Sequence, residues 1–155
     1  MTQEYHPIKL PGARCYPGLI EIRPFGKDEV EAYNRVRRSG SEVALRALVG
    51  DTIRGARAED FHDPDFSFIM MWHRVNSFLN FPMTLPWKCP ICETNNVNNL
   101  DISKIVAEEI SEEYNPDGMT INFPCGIPLT LRLPKVGDDE KARKMINALS
   151  VQNPT

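Results

Sequence analysis

A chain of 155 residues can form one compact domain or two small modules that share a core. A hydrophobic share of 41% and a charged share of 25% are ordinary for a globular protein, and no run approaches the roughly eighteen apolar residues of a membrane span. The net charge of -3 gives no global reason to approach DNA or an anionic membrane.

The opening segment, Met1 to His6, lacks a basic stretch followed by an apolar run, so no secretory signal is expected. The four cysteines, Cys15, Cys89, Cys92 and Cys125, should then meet a reducing compartment. A metal site or plain buried thiols are favoured there over a disulfide framework. The thirteen prolines sit mainly at junctions between periodic stretches and read as punctuation.

Residues 1–18 carry His6-Pro7, Leu10-Pro11-Gly12 and Tyr16-Pro17-Gly18, which predicts an extended arm with turns. With so few apolar residues, the arm is expected to be ordered mainly by a partner. Leu19 to Phe25 predicts a short strand, with Ile20 and Ile22 alternating against Glu21 and Arg23; Pro24 ends it or places it at an edge. Asp28 is the expected cap of a helix starting at Glu29, with Val30, Tyr33 and Val36 on one face. Ser39-Gly40-Ser41 breaks it, and Ser41 can cap a second helix that carries Val43, Leu45, Leu48, Val49 and Ile53 inward and ends at Gly55. The arginines at 35, 37, 38, 46, 54 and 57 are interspersed with Glu29, Glu31, Glu42 and Asp51, so a solvated helical face is favoured over a basic patch.

Phe61 to Asp65 reads as a turn and cap, with His62 at the surface. Residues 66–80 then form the most hydrophobic helix, too broadly apolar for one narrow stripe and ended by Phe81-Pro82. Phe66, Phe68, Met71, Trp72 and Phe78 on this helix are the expected partner-binding residues. From Met83 the pattern changes. Met83–Trp87 and Thr94–Leu100 flank a tight turn at Lys88 to Glu93, and an acidic stretch from Ile102 to Glu113 is either strand and turn or a short helix. After the turn signal Asn115-Pro116-Asp117-Gly118 come two strands, Thr120–Phe123 and Ile127–Leu133. Asp138 caps a last helix with Ala142, Met145, Ile146 and Leu149 on one side.

The sharpest chemical signal is Cys89-Pro90-Ile91-Cys92. Two cysteines at this spacing in a turn can offer two thiolates to one tetrahedral zinc ion. Cys125, in Phe123-Pro124-Cys125-Gly126, sits in a second turn as a facing knuckle would, but alone. The alternative is a metal-free hairpin with buried thiols. If one structural zinc binds, Cys89, Cys92 and Cys125 are its ligands and Cys15 is the best fourth donor, ahead of His73 and His62. Thioredoxin-type redox chemistry fits less well, because Glu93 to Asn96 after the motif is turn-like rather than helical. His73, between Trp72 and Arg74, reads as a hydrogen-bonded packing residue. No phosphate loop, catalytic triad or HExxH motif accompanies the histidines.

Several segments recur in a fixed order: the LP…YPG arm, the strand at 20–25, the helix opening KDEVEAYNR, and the ALRALVGDTIRG helix. The DFSFIMMWHRVNSF helix, the KCPICETNNVNNLDISKI hairpin and the closing GMTINFPCGIPLTLRLPKVGDDEKA segment complete the set. In that order, over roughly residues 8–146, the chain resembles the baseplate hub assembly proteins of contractile-tailed, T-even-type bacteriophages. The resemblance implies a virion or tail-assembly role without enzymatic activity and protein partners in the baseplate, hub and tail. Its place is then the virion tail baseplate, or the host cytoplasm during assembly. Glu93 departs from the pattern, standing where such knuckles usually carry glycine.

The expected fold is α+β: an arm at 1–18, a mainly helical subdomain with a short strand at 19–82, and a zinc-ribbon-like antiparallel β module with a terminal helix at 83–155. The alternatives are a zinc-ribbon adaptor for nucleic acid and a CxxC redox protein. The first is disfavoured because residues 88–118 are net acidic.

Overall fold

The computed structural model describes residues 4–78, 83–106 and 108–152. The architecture is α+β, with four α-helices and three small antiparallel sheets among the described residues. The expected break at Phe81-Pro82, the helix end at Leu79–Asn80, the start of the arm at Met1–Gln3 and the Leu149 side chain lie outside the described residues. No described helix is long and apolar enough to cross a membrane.

The first sheet gathers three two-residue strands, β1 (His6–Pro7), β2 (Glu21–Ile22) and β3 (Ile53–Arg54), in the order β1-β2-β3. The expected strand at 19–25 is therefore the central one, and Pro24 ends it rather than marking an edge. Pro7, which has no N–H to give, sits on the edge strand β1. Between β2 and β3 lie two helices, α1 (Lys27–Ser39) and α2 (Glu42–Gly50).

Helix α1 starts at Lys27, before the expected Asp28 cap. Gly26 is the N-cap, and its N–H donates to the Glu29 carboxylate at 2.7 Å. Arg23 holds the same carboxylate through both nitrogens, at 2.8 and 2.6 Å. Gly40 closes α1 in the left-handed conformation (φ +67°), and Ser41 caps α2 by accepting from Ala44 N–H at 3.3 Å. Ile53 does not continue α2. The helix stops at Gly50, and Ile53 pairs with Ile22 as a strand residue. Gly55 (φ +96°) then passes so close to the Leu19 carbonyl that a side chain would collide with it.

Helix α3 (Asp63–Ser77) begins three residues earlier than the apolar run suggests, with Pro64 in its first turn, where a missing N–H costs nothing. Its deepest stripe is Asp65, Ile69 and His73, spaced one turn apart, with Ser77 next in the series. The core around it consists of Leu10, Tyr16, Ile20, Ile22, Phe25, Val49, Ile53, Phe61 and Ile69.

The arm is thus part of this core, contrary to the expectation that it needs a partner. Leu10 is 1% exposed and Tyr16 is buried against Phe61. The reason is polar: the buried Asp65 carboxylate accepts from Gly12 N–H at 2.7 Å and from the Tyr16 hydroxyl at 2.5 Å. Tyr16 Oη in turn accepts from His62 N–H at 3.1 Å. Gly12 lies so close that a Cβ would strike the carboxylate.

Beyond residue 83 the chain forms two separate hairpins, β4–β5 (Met83–Lys88 with Asn95–Leu100) and β6–β7 (Met119–Asn122 with Pro128–Leu131). The undecided acidic stretch is a single 3-10 turn at Ile102–Lys104 followed by irregular chain. Helix α4 (Asp138–Gln152) closes the structure; Asp138 is its first residue, and its carboxylate accepts from Lys135 N–H at 2.8 Å.

Three anchors tie this half to the first. Ile102 is buried near α3. Ile110 N–H donates to Pro11, and Arg14 reaches the carbonyls of Ser111 and Tyr114. Residues 134–137 run antiparallel to 59–63, with Val136 N–H on the Phe61 carbonyl at 2.9 Å and Gly137 N–H on that of Glu59 at 3.1 Å.

The Asp65 cluster yields a stability prediction. Asp65→Ala leaves two buried donors without an acceptor, at about 1–3 kcal/mol each. Urea unfolding should show a loss of about 3 kcal/mol, and Tyr16→Phe a smaller one. A loss below about 0.5 kcal/mol for Asp65→Ala would refute the assignment.

Candidate functional site

Two features stand out as possible sites: the buried histidines of the first half and the cysteine-bearing hairpins of the second. The histidines are accounted for by packing. His73 is 1% exposed, and its ring stacks on Phe25 at 3.9 Å between centroids. Thr52 Oγ1 donates to the Val49 carbonyl at 2.6 Å, so it must accept from His73 Nε2–H at 3.0 Å. Ser77 Oγ accepts from Phe25 N–H at 2.9 Å and lies 3.5 Å from His73 Nδ1. The network thus places a proton on Nε2 of this imidazole. Burial pushes its pKa down from 6.5 to about 4; Glu29 works against this and Arg23 with it.

His62, expected at the surface, is 1% exposed. The 134–137 segment and Tyr114 cover it: it bridges to Lys135, and the Tyr114 ring stands edge-on at 6.1 Å. Its Nδ1 has no hydrogen-bond partner among the described residues. Both side chains are thus shut off from solvent in this fold.

The expected partner-binding residues are half-buried. Phe66, Phe68, Trp72 and Phe78 pack against the core. Phe68, Met71 and Trp72 also line a shallow groove of about 190 Å³ with Val75, Ile102 and Ile105. The large exposed apolar side chains lie elsewhere. Of the seventeen among the described residues, all but Leu19 and Val43 follow residue 83.

Register explains why they share faces. In β6–β7, Met119 opposes Leu131 and Ile121 opposes Leu129, so these four occupy one face. Phe123 and Ile127, joined by a backbone bond at 3.2 Å, continue it. All six are exposed. The opposite face is polar, with Thr120 and Thr130 hydroxyls 3.1 Å apart. In β4–β5 the corresponding face is mixed: Met83, Leu85, Trp87 and Leu100 share it with Asn98 and Asn96, which oppose Leu85 and Trp87. On α4, Met145 and Ile146 are exposed as well.

The β4–β5 turn, which carries Cys89 and Cys92, is closed by two backbone hydrogen bonds. Cys89 N–H donates to the Thr94 carbonyl at 3.0 Å, and Glu93 N–H to the Cys89 carbonyl at 2.9 Å. Glu93 takes the left-handed conformation (φ +58°), the one such non-glycine residue among those described. Its carboxylate is held by Lys88 at 3.0 Å. Cys92 is exposed, with its Sγ 3.2 Å from Thr94 Oγ1. Hydrogen bonds from the Thr94 side chain and backbone, then from the Cys89 thiol, favour the thiolate and draw Cys92 down to about 7.

The four expected ligands are not gathered. Among the described residues no three of His, Cys, Asp or Glu form a cluster. Cys125 is exposed in the turn of the other hairpin. Cys15 sits in a 3-10 turn of the arm, where burial and then Asp65 raise its thiol pKa. Comparison with protein-family models, curated proteins and solved structures found no match to this chain.

His73 sets a pH dependence. Its folded pKa lies below the unfolded value, so the unfolded chain binds more protons between about 6.5 and 4. Its contribution is fully present above pH 6.5 and is lost as pH falls towards 4, on the order of 3 kcal/mol in all. The parent should lose stability over that window more steeply than His73→Gln, measured by urea unfolding at each pH. Parallel curves for the two would contradict the neutral, buried imidazole.

Proposed function

We propose that this chain is a structural or assembly protein that acts through protein–protein contacts and not through catalysis. The observation that carries the reading is the division of apolar surface. Among the described residues, ten of the eleven buried apolar side chains precede residue 83, whereas nearly all the large exposed ones follow it. A two-stranded hairpin with one fully apolar face is marginal by itself and gains stability when that face is covered. The β6–β7 face is the primary docking surface, and the apolar side chains of β4–β5 and α4 are secondary candidates.

The ordered set of segments that resembles the baseplate hub assembly proteins supports a more specific reading. The partners are then baseplate, hub or tail proteins of a phage, met in the virion or in the host cytoplasm during assembly. Of the zinc-ribbon expectation this reading keeps the β4–β5 turn, whose backbone suits a thiolate ligand pair. Nucleic-acid binding is disfavoured by the acidic 101–117 stretch, where Lys9 and Lys104 pair with Glu109 and Asp101.

A photo-crosslinking residue at Leu129, on the apolar face, should trap baseplate or tail proteins in infected cells, whereas one at Thr130, on the polar face, should not. Leu129→Lys should weaken that association by about tenfold or more, equivalent to about 1.4 kcal/mol. Because the site is exposed, it should change unfolding stability by less than about 0.5 kcal/mol. Equal labelling from both faces, or a chain absent from every tail-assembly intermediate, would defeat the proposal.

A further inference from the structure

The β4–β5 turn presents two cysteines at the far end of an exposed ribbon. Ile91, between them, is 92% exposed, and Cys92 is exposed beside it. The backbone is held in the knuckle conformation by the two turn bonds and by the left-handed Glu93. A closed structural zinc site takes four ligands in a tetrahedron, and thiolates are its preferred donors. This turn supplies two.

The nearest alternative donors among the described residues are not gathered at this turn. The Glu93 carboxylate is paired with Lys88. Cys125 belongs to a hairpin in a separate sheet, and Cys15 is partly buried in the arm. Within the described residues no third ligand joins the pair.

We propose that the Cys89–Cys92 turn is one half of a four-cysteine zinc site that is completed by the same turn of a second copy of this chain. Two-fold pairing of the tips makes an isologous contact, so each copy contributes the same two thiols in the same geometry. Four thiols lose four protons as one zinc ion binds, and the resulting tetrathiolate centre carries two negative charges, with Lys88 of each ribbon nearby. The pairing also covers Ile91, which otherwise stands alone in solvent. The proposal concerns association between copies and is independent of whether the apolar β6–β7 face binds a tail protein.

The test uses the full chain under reducing conditions. Stripped with chelator, it should sediment as a 17.6 kDa monomer. Added zinc should double the mass and bind at one ion per two chains, and cobalt in its place should give the absorption of a tetrahedral tetrathiolate. Cys89→Ser and Cys92→Ser should remain monomeric with an unchanged helical circular-dichroism signal, since both lie outside the core. Cys125→Ser and Cys15→Ser should dimerise as the parent does. One zinc per monomeric chain, whichever ligands close the site, would overturn the proposal. So would failure to bind zinc, or a dimer that persists in chelator.

Discussion

The fold depends on one buried carboxylate. Asp65 lies in the first turn of α3, inside the core, and both of its oxygens are used by the arm: Gly12 N–H on one, the Tyr16 hydroxyl on the other. A carboxylate taken out of water at this depth is costly unless it is well hydrogen-bonded. The arm therefore has to be in place when α3 packs. Once Tyr16 is placed, its oxygen receives His62 N–H, which orients the entry to α3, and Leu10 fills the core beside it. The same ordered arm gives Pro11 and Arg14 their positions, and those two residues hold Ile110, Ser111 and Tyr114 of the second half. A segment poor in apolar residues is thus ordered by polar contacts made out of reach of solvent.

The second half is attached differently. Its anchors are backbone pairs and short loops: the 134–137 segment against 59–63, the Arg14 clamp and the single buried Ile102. Between these anchors the two hairpins project with their apolar faces uncovered. The arrangement separates stability from contact. The helical half has a core of its own, and the apolar side chains on the hairpin faces lie outside it. Arg46 ties the two halves once more, donating to the Val136 carbonyl at 2.5 Å and lying 3.8 Å from Glu140, so α4 leaves the core at a set point while Met145 and Ile146 stay in solvent.

Much of this was legible in the sequence wherever local chemistry decides the outcome. Gly40 and Ser41 mark the break and cap between α1 and α2, Asn115 to Gly118 marks the turn before β6, and alternation locates both hairpins. What stayed hidden was set by distant partners. The deepest stripe of α3 is Asp65, Ile69 and His73, and two of those three are polar, so a search for apolar periodicity leads instead to the half-buried Phe66, Phe68 and Trp72. His62 looks like a surface residue because its cover arrives from Tyr114 and Lys135, more than fifty positions away. Ile53 looks helical because its spacing from Val49 is right, yet pairing with Ile22 makes it a strand residue. The knuckle was visible as CPIC, but the absence of a gathered four-cysteine set among the described residues is a matter of topology: β4–β5 and β6–β7 form separate sheets, and no spacing rule reveals that.

Glu93 holds backbone strain at the tip of the β4–β5 hairpin. A left-handed conformation costs a non-glycine residue about 1 kcal/mol, and hairpin turns avoid that cost by placing glycine or asparagine there. The tip lies outside the core, and Ile91 beside it is almost wholly exposed. The conformation is held locally, by the Cys89–Thr94 and Glu93–Cys89 backbone bonds and by Lys88 on the carboxylate. Those contacts have one common result: they close the turn so that Cys89 and Cys92 share a side and the Cys92 thiolate is favoured by Thr94. The strain at Glu93 is thus stored in an exposed turn and held there by local contacts alone.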